Sequence, residues 1–214
     1  MTARWLLVRH GETEWSQAGR YAGHSDVTLS DGGRQAARLL GRRLAHEEID
    51  VCYTSDLRRA AETLDLLLAA RASGPGLPVH VCPELREMHF GEWEGRTYPE
   101  IAEQPGSAAV LAGDDAAPGG ESLSQLAVRI QAFLEQLQRT TQKQPNGAAL
   151  VVSHGGPVRA LVCLALGLAV KEHWRFQVDH GSLSEISWSA ADGARLVRLN
   201  DLCHLSCVEG TGQG

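Results

Sequence analysis

Lysine is nearly absent from this 214-residue chain, whose basic residues are almost all arginines. Only Lys143 and Lys171 stand beside 18 arginines, and 26 acidic residues leave a formal net charge of −6. An acidic chain lacks the broad positive surface that binds nucleic acids or anionic membranes, so we expect neither as a partner. Arginine can bind phosphate through two parallel hydrogen bonds, whereas lysine cannot. This raises the question of whether some of the arginines face an anion.

Cysteine pairs and long apolar runs are also missing. The five cysteines include no CxxC pair, and their odd number favours a reducing compartment over a disulfide framework. The first apolar run, residues 5–8, is followed at once by Arg9 and is too short for a signal peptide. The longest run, around residues 161–170, is interrupted by Gly167 and is too short to span a bilayer. We therefore expect a cytoplasmic protein.

Short apolar runs alternate with helical patterns along most of the chain. Continuous apolar stretches, typical of strands buried on both faces, lie at residues 5–8, 51–54 and 148–152, with a weaker candidate at 79–81. Apolar residues at helical spacing predict helices at residues 30–46, 57–68, 123–137 and 157–166. This alternation favours an α/β fold, a three-layer sandwich in which helices flank a mostly parallel central sheet.

The C-terminal residues from about 182 and residues 103–120 depart from this alternation. Residues 182–189 and 194–199 predict two further strands around a turn, and the glycine-rich residues 209–214 are expected to be disordered. Residues 103–120 carry several prolines and glycines and predict a loop. Strands needed for the sheet lie on both sides of this loop. We therefore interpret 1–214 as a single domain with a loop or lid insertion at about 84–120.

Histidines and arginines follow the predicted parallel strands where each strand ends. Arg9 and His10 follow the first strand, Arg58 and Arg59 come shortly after the second, and His154 follows the last. Because ligands of open α/β sheets bind outside the carboxyl ends of the strands, we expect these side chains to converge on one site.

Such a cluster suits the transfer of a phosphoryl group, which needs a nucleophile and positive donors around the phosphoryl oxygens. One histidine nitrogen can attack while a hydrogen bond to the other fixes the tautomer. Gly11 and Gly155, each beside a histidine, would leave room for the anion. The sequence contains no HExxH motif, DxH pair or Cys/His cluster, so we predict neither a metal nor another cofactor.

A proton donor for the leaving group is expected after the weaker strand. Residues 84–95 contain four glutamates between aromatic residues and glycines: Glu84, Glu87, Glu92 and Glu94. A carboxylic acid among them could protonate the departing oxygen. Their spacing alone does not choose among the four.

Five ordered blocks resemble those of the histidine phosphatase superfamily, the phosphoglycerate mutase-like proteins. They are LVRHGET at residues 7–13, SDLRRAAET at 55–63, EMHFGEWEG at 87–95, GGES at 119–122 and VSHGG at 152–156. A single RHG is a weak signal, but five ordered blocks that extend over nearly the whole chain are specific.

The resemblance implies a role for several residues. His10 would be the nucleophile that forms a phosphohistidine. Glu87 would first act as the general acid and then as the base that activates water. The phosphoryl oxygens would be held by Arg9, Arg59 and His154, with Gly155 beside them. Arg59 has this role instead of Arg58 because it precedes the alanine of its block.

Two further residues are candidates for substrate contacts. Ser16 stands where the family often has an asparagine that donates to the phosphate, and its shorter hydroxyl implies that this contact is lost or made through water. His24 belongs to a loop, residues 21–24, that could border the site. Arg20, Arg86 and Arg159 are outside candidates for phosphate contacts. The remaining histidines are interpreted as surface or packing residues: His46, His80, His89, His173, His180 and His204.

Three functions are open at this point: a cofactor-independent phosphomonoesterase, a phosphoglycerate mutase and a non-catalytic phosphate-binding protein. The WEG after Glu87 and the modest length resemble the phosphatase branch, and the full set of apparent catalytic residues disfavours a binding protein. The partner would be a small phosphorylated metabolite, and a homodimer is left open.

Similarity within the family also bears on the substrate. Residues 84–94, 173–182 and 199–205 are similar to members called α-ribazole phosphatases, which act late in cobalamin nucleotide-loop assembly. Trp174 and Phe176 could line an aromatic pocket for such a substrate. A broad-specificity sugar or acid phosphatase is the alternative.

Overall fold

The computed structural model describes residues 2–71, 76–111, 115–143 and 146–208. This part of the chain forms one six-stranded sheet: β1 (Ala3–Arg9), β2 (Val51–Thr54), β3 (Val79–Val81), β4 (Ala148–Ser153), β5 (Leu183–Ser189) and β6 (Gly193–Asp201). The strand order is β3-β2-β4-β1-β5-β6. The first four strands in this order pair in parallel, and β5 pairs antiparallel with both β1 and β6. The predicted mostly parallel sheet is confirmed, and all six strands lie where the sequence placed them.

Helices connect the strands and cover the sheet. They are α1 (Glu14–Gln17), α2 (Asp31–Arg43), α3 (Arg58–Ala70), α4 (Tyr98–Ala102), α5 (Ser107–Leu111), α6 (Leu123–Gln142) and α7 (Gly155–Ala165). Helix α6 begins at a capping box, in which Ser122 Oγ accepts from the Gln125 N–H and the Gln125 side chain accepts from the Ser122 N–H. Within the described ranges, none of the helices is both long enough and apolar enough to cross a bilayer.

Both faces of the central strands are buried, which explains why these strands read as unbroken apolar runs. Trp5 and Leu7 belong to one core cluster with residues of α6 and α7. Leu6 and Val8 belong to a second cluster with residues of α2 and α3 on the opposite face. Successive side chains of a strand point to opposite faces, so a strand between two helical layers needs apolar residues at every position. The three-layer sandwich is thereby confirmed.

The region predicted as a loop at 103–120 contains helix α5, which the proline and glycine pattern did not reveal. A small apolar cluster of Trp93, Ile101 and Ala117 packs this region together. Two backbone hydrogen bonds join residues 89–92 to residues 118–121. Glu92 N–H donates to the Pro118 carbonyl, and Glu121 N–H donates to the His89 carbonyl. The expected disorder of residues 209–214 falls outside the described residues. The single-domain and lid interpretations stay predictions.

Candidate active site

The functional side chains predicted from the sequence meet at the carboxyl ends of the parallel strands. His10 follows β1, His154 follows β4, and Arg59 lies in the first turn of α3 after β2. The ring centroids of His10 and His154 are 5.0 Å apart. A cavity of about 340 Å³ opens here, and its walls include Arg9, His10, Tyr21, Arg59, Glu87, Phe90, Arg159 and His180. Arg9, His10, Arg59 and His154 thus lie together as predicted, whereas Arg58 is exposed and does not line the cavity.

Both ring nitrogens of His10 have hydrogen-bond partners, and only one of the two carries a proton. Nδ1 lies 2.6 Å from the Gly11 carbonyl oxygen, which can only accept, so Nδ1 carries the proton. Nε2 accepts a hydrogen bond from Arg59 Nε at 3.2 Å. Burial, together with the charges of Arg59 and Arg9, holds the pKa of His10 well below its usual value. His10 is therefore a neutral imidazole with the Nε2 lone pair available at neutral pH.

Arg59 is fully buried, and its guanidinium is fixed on three sides. Besides the bond to His10, Nη1 donates to the Ser25 carbonyl at 3.0 Å and Nη2 to the Gly23 carbonyl at 2.7 Å. Burial lowers the pKa of Arg59, an effect that the charge of Glu87 opposes. A guanidinium stays charged under such conditions, so a permanent positive charge of fixed direction lies beside His10.

His154 packs beside His10 without lining the cavity, and one of its ring nitrogens is buried and unpaired among the described residues. Ser55 Oγ lies 2.9 Å from His154 Nε2 and also accepts the Leu57 N–H at 3.2 Å. A hydroxyl has one donor and two acceptor sites, so Ser55 is a partner for Nε2 in either tautomer of the ring. Nδ1 is buried and has no partner among the described residues. Buried polar groups are nearly always paired, so this nitrogen suits a partner that arrives with the substrate.

His180 is a site residue that the sequence interpretation missed. Its Nε2 accepts from Arg9 Nη2 at 2.6 Å, and its ring centroid lies 5.3 Å from that of His10. Burial lowers the pKa of His180 to about 3 and that of Arg9 to about 10. One signal could have found it. A hairpin strand that pairs antiparallel with β1 must begin at the carboxyl end of β1, and His180 stands just before β5.

Glu87 lies in the segment after β3, and its carboxylate contacts the N-terminus of α7 at the edge of the cavity. Its Oε1 accepts from the Gly156 N–H at 3.2 Å and from the Met88 N–H at 2.9 Å. A Cβ atom at position 156 would stand 2.4 Å from Glu87 Oε1, so the glycine makes room for the carboxylate. Of the four candidate glutamates, all within the described residues, Glu87 is the one that lines the cavity.

The two glycines beside the histidines have a different purpose from the one that the sequence suggested. A Cβ at Gly11 would stand 2.5 Å from the Gly33 carbonyl oxygen, so Gly11 allows close packing of the loop after β1 against α2. A Cβ at Gly155 would meet Arg159 Nη2 at 3.0 Å and Arg9 Cζ at 3.3 Å. The space that they leave is filled by the protein, and at Gly155 it is filled by two guanidinium groups.

Ser16 and His24 do not behave as free substrate contacts. Ser16 lines the cavity, but its hydroxyl accepts from the Thr13 N–H at 2.9 Å and donates to the Thr13 carbonyl at 2.8 Å. His24 is not among the residues around the cavity, and its Nε2 donates to the Glu87 carbonyl at 2.9 Å. Ser16 therefore caps α1, and His24 contacts the main chain of the candidate acid.

Of the three further arginines that the sequence offered for phosphate contacts, two line the cavity and one does not. Arg159 lines the cavity near Glu87, and its Nε donates to the Gly155 carbonyl at 2.9 Å. Arg20 also lines the cavity but is exposed. Arg86 pairs with Asp56 at 2.8 Å and is not among the lining residues. Arg159 and Arg20 thus add two guanidinium groups to those of Arg9 and Arg59, and the local charge is positive in an acidic protein.

A second cavity of about 270 Å³ adjoins the first and is more apolar. The two share Tyr21, Glu87, Phe90 and Arg159. The second is otherwise lined mainly by apolar side chains, which include Met88, Trp93, Leu126 and Trp174. Of the two aromatic residues that the sequence suggested for a pocket, Trp174 lines this second cavity. Phe176 instead packs against the main core.

The buried histidines predict an acid-sensitive fold. The unfolded chain binds a proton at each histidine below about pH 6.5, whereas the folded-state pKa of His180 is about 3. The free energy of unfolding should therefore fall as the pH decreases through this window, by up to about 1.4 kcal/mol per pH unit for each such histidine. Denaturant titrations should show a shallower fall for His180→Asn than for the wild type. The exposed His46→Asn should match the wild type, and three parallel slopes would contradict this account.

Comparisons with known proteins agree with this arrangement. The family model of the histidine phosphatase superfamily (branch 1) matches residues 5–202. Phosphoserine phosphatase 1 of Hydrogenobacter thermophilus is 33% identical over 211 residues, which cover 94% of this chain and 93% of the relative. The adenosylcobalamin/α-ribazole phosphatase of Salmonella typhimurium is 35% identical over 193 residues, which cover 88% and 90%. Among solved structures, the α-ribazole phosphatase from Shigella flexneri matches with a TM-score of 0.81 and 33% identity over 93% of this chain and 96% of that chain.

Proposed function

We propose that this chain, which belongs to the histidine phosphatase superfamily and is a phosphoric monoester hydrolase, cleaves a small phosphorylated metabolite through a phosphohistidine formed on His10. One observation carries the proposal. A neutral histidine with an unprotonated Nε2 lies in a cavity whose walls also contain four arginines and one carboxyl group.

In the first step, His10 Nε2 attacks phosphorus and forms the P–N bond while the ester P–O bond breaks. The departing oxygen takes a proton from the Glu87 carboxyl group, so the alcohol leaves neutral. Arg59 Nε, which donates to His10 Nε2 in the free protein, is then free to donate to a phosphoryl oxygen. Arg9 Nε and His154 Nδ1 are buried without partners in the described chain. Arg9 Nε is a suitable donor for a further oxygen, and His154 Nδ1 is one in the tautomer that carries its proton there.

In the second step, water attacks the phosphorus of the phosphohistidine and the P–N bond breaks. Glu87, now a carboxylate, takes the proton of that water and returns to its starting state. His10 regains its lone pair at Nε2, and Nδ1–H remains on the Gly11 carbonyl throughout. This hydrogen bond fixes the ring orientation for both steps. The guanidinium groups supply the positive charge, and the scheme uses no cofactor.

The substrate that we favour is α-ribazole 5′-phosphate. Two observations support it. The apolar cavity beside Glu87 lies where the leaving group must extend, and its aromatic and aliphatic walls suit a flat apolar base. Relatives named for α-ribazole occur among the similar sequences and structures. A relative named for phosphoserine is similar to the same degree, so the names alone do not decide.

A panel of phosphate esters tests this function. We expect kcat/KM for α-ribazole 5′-phosphate to exceed that for phosphoserine, 3-phosphoglycerate and fructose bisphosphate by about tenfold or more, because burial of an aromatic ring contributes roughly 1.5–3 kcal/mol. Trp174→Ala should reduce this preference and leave the rate on 3-phosphoglycerate nearly unchanged. Equal kcat/KM values across the panel would instead favour a broad-specificity sugar or acid phosphatase. Isomerisation of 3-phosphoglycerate without release of free phosphate would make the protein a mutase.

A further inference from the structure

Arg129 lies in α6, outside the catalytic cavity, yet it contacts the segment that carries the candidate acid. Nη1 donates to the carbonyls of Glu84 and Arg86, both at 2.6 Å, and Nη2 donates to the Glu87 carbonyl at 3.0 Å. Nε and Nη2 also donate to the two carboxylate oxygens of Glu121, each at 2.7 Å. A guanidinium has five N–H donors, and Arg129 makes five such bonds.

The main chain of Glu87 is therefore held from one side while its carboxyl group is held from the other. The Glu87 carbonyl accepts a second hydrogen bond from His24 Nε2 at 2.9 Å, and the carboxylate accepts from the Gly156 N–H at 3.2 Å. Three carbonyls of one short segment point toward the same guanidinium. Without Arg129, the carbonyls of Glu84 and Arg86 would lose this donor, and the position of Glu87 would depend on the contacts with His24 and Gly156 alone.

Glu121 fixes the guanidinium in turn. The side chains of Arg129 and Glu121 are 19% and 14% exposed, so this ion pair is shielded from solvent more than the surface pair of Arg139 and Glu135, at 66% and 52%. A bidentate, shielded pair has a defined geometry, whereas an exposed pair is mobile and contributes little. Arg129 is thus presented to the segment in one orientation.

We infer that Arg129, oriented by Glu121, is a positioning residue for the general acid: it holds the main chain of residues 84–87 so that the Glu87 carboxyl group faces the leaving oxygen. The inference rests on the proposed role of Glu87. Lysine cannot replace Arg129, because an ammonium group has three donors and no planar fork. A displacement of about 1 Å at a catalytic group can cost roughly 100-fold in rate.

The leaving group provides the test, since a poor leaving group needs the acid and a good one does not. Phenyl phosphate and para-nitrophenyl phosphate have nearly the same shape, but phenol is the poorer leaving group. We expect Arg129→Lys to lower kcat/KM on phenyl phosphate by about 10- to 100-fold and on para-nitrophenyl phosphate by less than about threefold. kcat/KM is the right quantity, because it includes the departure of the alcohol but not the later hydrolysis of the phosphoenzyme.

Three further variants make the result decisive. Glu121→Gln should show the same selective loss in weaker form, and it keeps the test available if Arg129→Lys unfolds. Arg139→Lys, on the same helix, should behave as the wild type with both esters. An equal loss on both esters for Arg129→Lys and Glu121→Gln would overturn the positioning role. Glu87→Gln separates this failure from a failure of the proposed function, because only an acid role for Glu87 makes that variant selective for the poorer leaving group.

Discussion

Replacing His10 with alanine should lower kcat/KM by about 10⁴-fold or more, which is the scale of loss when a covalent nucleophile is removed. The physical reason is that the P–N bond can form at no other group with the same environment. Among the residues that the structure describes, His10 alone combines a fixed Nδ1–H, a depressed pKa and a position at the carboxyl end of β1. Steady-state release of free phosphate from a small phosphomonoester measures the effect.

The matched control is the same substitution at an exposed histidine. His46 lies on the surface just after α2, and His46→Ala should leave kcat/KM within about twofold of the wild type. Thermal unfolding of both variants separates a catalytic loss from a loss of fold. A folded His10→Ala variant that still turns over at a substantial rate would refute the proposed nucleophile.

Replacing Arg59 with lysine should lower kcat/KM by about 10³-fold, although the formal charge is preserved. The Arg59 guanidinium donates to His10, to the Ser25 carbonyl and to the Gly23 carbonyl. A lysine ammonium cannot make these bonds in the same plane and would leave buried carbonyls without donors. Without these bonds, the positive charge would no longer be held in a fixed position beside the phosphoryl group. The loss should appear in kcat as well as in KM, because the charge on the phosphoryl oxygens is redistributed in the transition state.

Arg58 provides the control one residue away. It is exposed, and Arg58→Lys should change kcat/KM by less than about twofold. Equal losses for the two substitutions would mean that the effect is a general disturbance of the start of α3. A near wild-type Arg59→Lys variant would show that the fork geometry is unimportant.

The sequence predicts most of the fold and the centre of the site for a simple reason. Buried parallel strands are unbroken apolar runs, and the residue after each run must lie at one edge of the sheet. His10 and His154 were found in this way. The choice of Arg59 over Arg58 needed the family resemblance, and burial in the structure is consistent with it. Helix α5 was missed because prolines and glycines surround it and hide a short helix.

Other features depend on tertiary contacts that have no local signal. Position 11 must be a glycine because the carbonyl of Gly33 in α2 approaches it closely. The occupied hydroxyl of Ser16 follows from the geometry of the turn before α1. The contacts of Arg129 with the carbonyls of Glu84 and Glu87 depend on backbone directions far away in the chain. Patterns of residue type do not encode such directions.

Trapping the covalent intermediate tests the central claim most directly. During turnover of a phosphomonoester, the reaction is stopped rapidly in alkali, which preserves a phosphohistidine, and the peptides are then examined by mass spectrometry. The account predicts one phosphoryl group on the peptide that contains His10, located on the ring of His10. It also predicts that the label is absent in His10→Ala. A phosphoryl group on another residue, or its persistence in His10→Ala, would contradict the account.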